Sequence, residues 1–288
     1  MRQYRLLLCL LACLVNFLSM EAGTLAQFRT VFGDIEVELY DQDKPVTVQN
    51  FIQYVQRGRY QNLFAHRIVP GFVIQGGGYT VTNRNTTNWQ PVSVSPFPWI
   101  TNEFGVGRRF SNVYGTLSMA KLGGDTNSAS SQWFFNLADN TGLDAPDTNN
   151  FFVVFGHVIR GTNILNLFNG FKPWNGLSAP PQSTNLDLHQ YFSQPYDDLP
   201  LLRPIFSDTN FVFLDINLLQ ASIKPALNGS KEISWSSPLG LTNILEYSTN
   251  LPPSWHLIVS SNGTGNTIKV VDSSPPNPSR FYRVRVLY

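Results

Sequence analysis

The stretch "FAHRIVPGFVIQGG" (64–77) decides how this chain is read. It opens on His66 and Arg67, runs apolar, breaks at Pro70 and Gly71, and closes on Gln75 and a glycine run. Val and Ile suit a half-buried pleated ribbon, yet arginine and glutamine are residues that a core strand rarely carries. Along one unbroken strand, residues 67 and 72 point to opposite faces because they differ by an odd number. Arg67, Phe72 and Gln75 converge only if the Pro70–Gly71 break resets the register. The glycines at 76–78 lack the G-x-x-x-x-G-K-[ST] pattern and no helix start follows, so they do not read as a phosphate loop.

Upstream, "GDIEVELY" (33–40) alternates, with Ile35, Val37 and Leu39 on one side and Glu36 and Glu38 on the other. That period predicts a half-buried antiparallel strand after an "FGD" turn. "KPVTVQNFIQYVQRG" then changes period: Val48, Phe51, Ile52 and Val55 share one helical face. Thr47 is the expected N-cap and Gly58 the expected stop.

Downstream, strands are predicted at 66–75, 113–120, 131–137, 152–159 and 211–219, and a short helix over 161–170 with Ile164, Leu165 and Phe168 on one face. Many strands with two helices predict a mainly β architecture, an antiparallel barrel or sandwich whose open ends the helices cover. The stretches 79–110 and 172–209 are longer than ordinary connections. Trp89 and Trp99 in the first either cover one side of a groove or pack on the barrel. From 222 to 288 five short strand candidates recur at roughly ten-residue spacing, which predicts a small β-sandwich module. Trp235, Tyr247 and Trp255 are its expected core.

The chain has 288 residues, 42% of them hydrophobic and 14% charged, with 21 Phe and a net charge of +1. It can bury a sizeable core, and nothing in its charge points to nucleic acid. Arg2 and Arg5 precede an apolar run from Leu6 to Leu18, followed by small residues. That order is the pattern of a secretory signal peptide over residues 1–26, with cleavage after Ala26, or alternatively after Ala22. The run is short for a membrane span. Both cysteines, Cys9 and Cys13, lie inside it, so thiol chemistry is excluded from the processed chain. His157, His189 and His256 show no metal-ligand spacing, and "ADNTGLDAPDTNN" does not match a calcium loop.

Three segments together resemble the cyclophilins, peptidyl-prolyl cis–trans isomerases. The family pattern F-H-R-x-x-P-x-F-x-x-Q-G-G is met by His66, Arg67, Pro70, Phe72, Gln75, Gly76 and Gly77, with Ala65 in place of the first phenylalanine. Gly115, Leu117, Ser118, Met119 and Ala120 match G-x-L-S-M-A; Ser131, Gln132 and Phe134 match S-Q-F-F; Phe155 and Gly156 match the V-F-G block. The resemblance covers about residues 27–220. It implies a closed antiparallel β-barrel capped by two helices, occupying 27–221, ahead of the module at 222–288.

What the resemblance implies about chemistry fits the residue types. Rotating a prolyl amide costs about 18–20 kcal/mol because conjugation is lost in the twisted state. No bond breaks, so no nucleophile, metal or cofactor is required; the enzyme must bind the twisted amide better than the planar one. Arg67 is the expected donor to the prolyl nitrogen freed by twisting. Phe72, Phe134 and Leu143 would grip the ring. Gln75 and backbone groups near Lys121 would hold peptide carbonyls, with Gln132 in support. Val73, Ala120, Leu122 and Phe152 would line the pocket. His66 is expected to be structural, because the reaction needs no proton transfer. Phe152 stands where histidine is frequent, and Gly142 where many animal members have tryptophan; the missing indole implies weak cyclosporin binding. The expected partners are proline-containing polypeptides outside the cytoplasm, met by a secreted or periplasmic monomer, with the C-terminal module docking it to an envelope or surface partner. The rival expectations are a non-enzymatic proline-peptide-binding protein on the same scaffold, or a cell-surface protein.

Overall fold

The computed structural model describes residues 24–145, 151–173, 184–186, 198–203, 205–219, 221–237, 242–250, 252–264, 266–273 and 280–287. The expected leader up to residue 23, His189 and most of the 172–209 stretch lie outside these.

Strands β1 (Leu25–Thr30) and β2 (Gly33–Leu39) form a hairpin in which Thr30 pairs with Gly33. Ile35, Val37 and Leu39 are buried, as the alternation predicts. Helix α1 (Pro45–Gln56) buries Val48, Phe51 and Ile52 against the barrel, worth about 1.5–3 kcal/mol per fully buried side chain. Its start differs from expectation. Pro45 opens the helix, which suits proline because the missing N–H has no partner there anyway. Thr47 is buried inside the first turn and is not the N-cap. The orphan N–H groups of Val46 and Thr47 instead donate to the Glu103 carboxylate, at 3.1 and 2.7 Å. A distant acid at the positive helix end thus does the work of a local cap. Beyond the helix, Gly58 adopts φ +67°, as a stop glycine should.

The 66–75 stretch is two strands, β3 (Arg67–Val69) and β4 (Val73–Gly76), joined by the loop Pro70-Gly71-Phe72. The expected kink is a full chain reversal: Gly71 takes φ +72° and the Phe72 N–H donates to the Val69 carbonyl at 2.9 Å. Strands β5 (Tyr79–Thr82) and β6 (Gln90–Ser93) form a separate hairpin. Then come β7 (Thr116–Met119), β8 (Trp133–Asn136), β9 (Val154–Arg160) and helix α2 (Thr162–Asn169), which buries Ile164, Leu165 and Phe168. Short strands β10 (Lys172–Pro173), β11 (Thr184–Leu186) and β12 (Leu199–Leu201) make a small sheet, and β13 (Asp215–Leu219) returns to the main one.

The main sheet has the order β13-β1-β2-β9-β7-β8-β4-β3, antiparallel throughout. It curls until its ends meet. The Ala65 N–H donates to the Val212 carbonyl and the Leu214 N–H to the Leu63 carbonyl, both at 2.9 Å. Inside lie Phe28, Phe51, Trp133, Phe135 and Phe155; Phe28 meets Trp133 and Phe135 edge-on, with centroids 5.0 Å apart. A second core joins Phe64, Val81, Leu199, Leu201 and Phe211 with Trp89 and Phe206 at its margin. The β5–β6 insertion therefore packs onto the 199–213 segment. Trp99, from the same long stretch, is instead 59% exposed beside α1, with Phe97 and Pro98.

Among the described residues the C-terminal region holds six strands, one more than expected: β14 (Ala221–Pro225), β15 (Lys231–Ser236), β16 (Thr242–Ser248), β17 (His256–Asn262), β18 (Thr267–Asp272) and β19 (Phe281–Leu287). They form two antiparallel sheets, β14-β15-β18 and β17-β16-β19, around Ile233, Trp235 and Leu245. Of the three expected core aromatics, only Trp235 is fully buried; its indole N–H donates to Asn243 at 3.1 Å. Tyr247 and Trp255 are half-buried beneath the guanidinium groups of Arg280 and Arg283, at 4.0 and 4.2 Å from the ring centroids. Arginine stacks readily on an aromatic face, so these rings take a cationic cover in place of an apolar one. Among the described residues, no helix is long and apolar enough to cross a membrane.

Candidate active site

The antiparallel register assembles the site. Arg67 pairs with Gln75 across β3–β4, Gln75 with Phe134 across β4–β8, and Phe134 with Ser118 across β8–β7. Residues directly opposite in a ladder share a face. One row on the outer face of the barrel therefore carries Arg67, Gln75 and Phe134. The alternate row of Ile68, Ile74, Phe135 and Leu117 faces the core.

The glycine run makes room for this row. A Cβ on Gly77 would stand 2.2 Å from the Ser131 carbonyl oxygen, and the residue adopts φ +82°. One on Gly76 would meet the Trp133 ring at 2.6 Å. Only glycine lets the end of β4 approach 131–133 so closely. The Gln75 amide then donates to the Gln132 side-chain oxygen at 2.6 Å. Gln132 in turn hydrogen-bonds the buried His66. Burial holds His66 neutral, with its pKa lowered to about 3. His66 is accordingly a structural prop, as expected. Helix α1 and the turn after it fix the preceding residues: the Asn50 amide donates to the Ser130 carbonyl, and the Tyr60 hydroxyl to the Ser131 carbonyl, both at 2.5 Å.

The apolar wall lies next to Phe134. Phe152 meets it edge-on, with centroids 5.8 Å apart. The Phe152 N–H donates to the Leu143 carbonyl at 3.2 Å, which brings Leu143 alongside. The Lys121 ammonium sits 4.6 Å above the Phe152 ring, and burial lowers its pKa. The Ala120 N–H donates to the Gln132 carbonyl at 2.9 Å. Phe72 is half-buried in the β3–β4 loop, and Val73 is buried opposite Asn136. Leu122 stands apart, 59% exposed on the turn beyond Lys121. Gly142 is exposed, with open space where a Cβ would be.

Sequence reasoning missed the polar layer beneath this wall. Asn112 is fully buried, and its amide donates to Asp144 at 2.7 Å and to the Phe152 carbonyl at 3.1 Å. Its oxygen accepts from Ser118 at 2.6 Å and from Asn136 at 3.1 Å. Asn140 donates to Asn136 and to the Phe72 carbonyl, each at 2.8 Å. One connected network thus fixes Phe72, the 141–144 turn that carries Leu143, and Phe152. A second missed residue is Asp198, whose carboxylate oxygen lies 3.6 Å from Arg67 Nε.

A donor on one row with an amide side chain and an aromatic ring can hold an extended peptide and present one N–H to a nitrogen within it. Comparisons with known proteins bear on the family of the chain. The sequence model of the family described as cyclophilin type peptidyl-prolyl cis-trans isomerase/CLD matches residues 25–183. A peptidyl-prolyl cis-trans isomerase of Acinetobacter baylyi is 36% identical over 144 residues, 50% of this chain and 71% of that protein. Peptidyl-prolyl cis-trans isomerase A of Dickeya dadantii is 37% identical over 164 residues, 54% of this chain and 80% of that protein. Peptidyl-prolyl cis-trans isomerase B of Escherichia coli is 32% identical over 146 residues, 50% of this chain and 82% of that protein.

Proposed function

This chain belongs to the cyclophilin-type peptidyl-prolyl cis–trans isomerase family, and from that premise we propose that Arg67 drives the rotation of X-Pro bonds by hydrogen-bonding the twisted prolyl nitrogen. The observation that carries the reading is the cross-strand row Arg67–Gln75–Phe134. In the planar amide the nitrogen lone pair is conjugated and accepts nothing. In the twisted state it is free, so a donor fixed above it is felt only at the transition state. The proline ring rests against Phe134, Phe152, Leu143 and Phe72, while Gln75 and the backbone near Ala120 and Lys121 hold the flanking carbonyls. Val73 shapes the pocket floor, and Leu122 its outer rim. Gln132 supports Gln75. The positioned donor acts before any water reorganises, which is where preorganised sites gain most.

The test is a protease-coupled isomerisation assay on a proline peptide, with wild type beside Arg67→Ala. The expected loss in kcat/KM is about two orders of magnitude or more, the usual cost of one transition-state donor. A variant as fast as wild type would remove Arg67 from the mechanism. Wild type at the uncatalysed rate, by contrast, would leave a scaffold that binds proline peptides without turning them over.

We further propose that the enzyme works outside the cytoplasm on proline-containing polypeptides, as a monomer, with the isomerase domain ending near residue 220 and the C-terminal sandwich serving as a docking module. The leader pattern at the N-terminus supports export. A cut after Ala22 suits the barrel better than one after Ala26. The Thr24 N–H and hydroxyl bond Asp41 at 2.7 and 2.8 Å, and the Thr24 carbonyl accepts from the Leu39 N–H at 2.9 Å. Ala26 is buried in β1. Intact-mass analysis of the exported chain should find Gly23 first; a chain beginning at Gln27 would overturn this.

A further inference from the structure

We propose that Asp198 is a positioning residue for Arg67, supplied by a stretch of chain outside the family-matching residues 25–183. The proposal rests on the reading of Arg67 as the transition-state donor. The geometry is direct: Asp198 Oδ2 lies 3.6 Å from Arg67 Nε, with side chains 42% and 37% exposed. An ion pair that wet contributes about 0–1 kcal/mol to folding. Stability is therefore a poor account of why an acid stands there. Orientation is a better one. Arg67 sits on β3, the last strand in the sheet order, at the end of a long side chain with much rotamer freedom. The guanidinium is a planar fork of five N–H donors. A carboxylate in ion-pair range on the Nε side draws that edge of the fork toward itself and leaves the terminal N–H groups for the substrate.

Asp198 is itself well held. Its carbonyl accepts the Ile68 N–H at 2.8 Å, so its backbone is tied to the residue next to Arg67. One residue further on, β12 begins, and Leu199 and Leu201 are fully buried in the second core. That core is shared with the β5–β6 hairpin through Val81 and Trp89. Two ties pin the hairpin to the same segment: the Asn85 N–H donates to Asp208 at 2.6 Å, and the Arg84 guanidinium lies 3.5 Å above the Phe213 ring. The insertion after β4 and the segment beyond residue 183 thus build a platform, and its edge delivers one carboxylate to Arg67.

The full-length enzyme carries the test, in the same isomerisation assay. Asp198→Asn keeps the backbone tie and removes the charge. It should lower kcat/KM about 5- to 10-fold, the scale of coupling between neighbouring residues, mainly through kcat and with KM within about twofold. Asp198→Glu should restore at least half of the loss, and thermal midpoints should stay within about 2 °C, as befits an exposed pair. In an Arg67→Ala background, Asp198→Asn should change the residual rate by less than about twofold, since the group it positions is gone. An unaffected Asp198→Asn beside a crippled Arg67→Ala overturns this proposal alone. So does a loss of equal size in both backgrounds, which would mark a structural role. A fully active Arg67→Ala overturns the donor reading and this proposal with it.

Discussion

Arg67 and Gln75 face one another directly across the β3–β4 ladder, although they stand eight positions apart in the sequence. The reversal at Pro70-Gly71-Phe72 makes them neighbours, and the ladder then extends their row to Phe134. Because the side-chain period of a strand is two, lengthening or shortening that loop by one residue would send Arg67 to the core face and Ile68 outward. The length of the turn is therefore as much a part of the site as the arginine. It also explains why Gly71 follows Pro70: the loop needs one residue in the left-handed region, and proline fixes the approach to it.

The buried histidine gives a pH signature to stability. His66 has its pKa lowered to about 3, against an ordinary value near 6.5. Between these values the unfolded chain binds a proton that the folded chain refuses. Stability therefore falls as pH drops from about 6.5 towards 3. At 1.36 kcal/mol per pKa unit, His66 alone should cost about 2 kcal/mol by pH 5. Denaturant melts of wild type and His66→Gln between pH 7 and pH 4 check this by slope. Parallel slopes would show that His66 titrates normally.

Asn112 ties Ser118, Asn136, Asp144 and the Phe152 carbonyl together beneath the apolar wall. Replacing it with alanine leaves the buried Ser118 hydroxyl without its acceptor, takes one acceptor from the Asn136 amide, which keeps Thr116, and removes the side-chain donor to Asp144. Each buried group left without a partner costs about 1–3 kcal/mol. Asn112→Ala should lower the thermal midpoint by roughly 5–10 °C. It should also raise KM, because Phe152 and the 141–144 turn lose their anchor. A midpoint within 2 °C of wild type would mean that the network is not what fixes the wall.

The α1 cap predicts an effect remote from the groove. Glu103 is 3% exposed and caps Val46 and Thr47, while the Lys44 ammonium donates to the carbonyls of Glu103 and Val106. Burial lowers the Lys44 pKa, and the acids Asp43 and Glu103 partly offset it. Glu103→Ala removes the cap and one of those charges. It should cost about 2–3 kcal/mol, and Glu103→Gln about 1 kcal/mol, since the amide oxygen still accepts. Melting of the two variants checks the order, with kcat/KM staying within about threefold. Equal stability of both variants would place the effect in the charge alone.

The elements legible in the sequence were those whose burial follows a period. Ile35, Val37 and Leu39 alternate, Val48, Phe51 and Ile52 recur at helical spacing, and both faces are buried as expected. Arg67, Gln75 and Phe134 were legible only as a set, because they owe their convergence to strand register rather than to spacing. What stayed hidden depends on long-range contact. Glu103 caps a helix 57 residues away, and Asp198 reaches Arg67 from beyond the matched domain. Asn140 read as a loop residue because asparagine is a turn former, and Asn136 as one position of the predicted strand 131–137. Their burial is set by the segments that close over them.

Gly142 offers a gain-of-function test of the pocket rim. It lies in the 141–144 turn, one residue before Leu143, where many animal members carry tryptophan. A Cβ there meets nothing within 4 Å, and the residue is not held in the left-handed region, so a larger side chain enters without strain. The missing ring leaves a cyclic peptide such as cyclosporin without an aromatic edge to pack on, so wild type should bind it weakly. An indole at this position adds apolar contact and an N–H donor, worth about 1–1.5 kcal/mol or roughly tenfold. Gly142→Trp should therefore tighten cyclosporin binding by about that factor while leaving the thermal midpoint unchanged. Calorimetric titration of both proteins decides it. A tight complex with wild type, or no change in the variant, would show that this turn does not border the pocket.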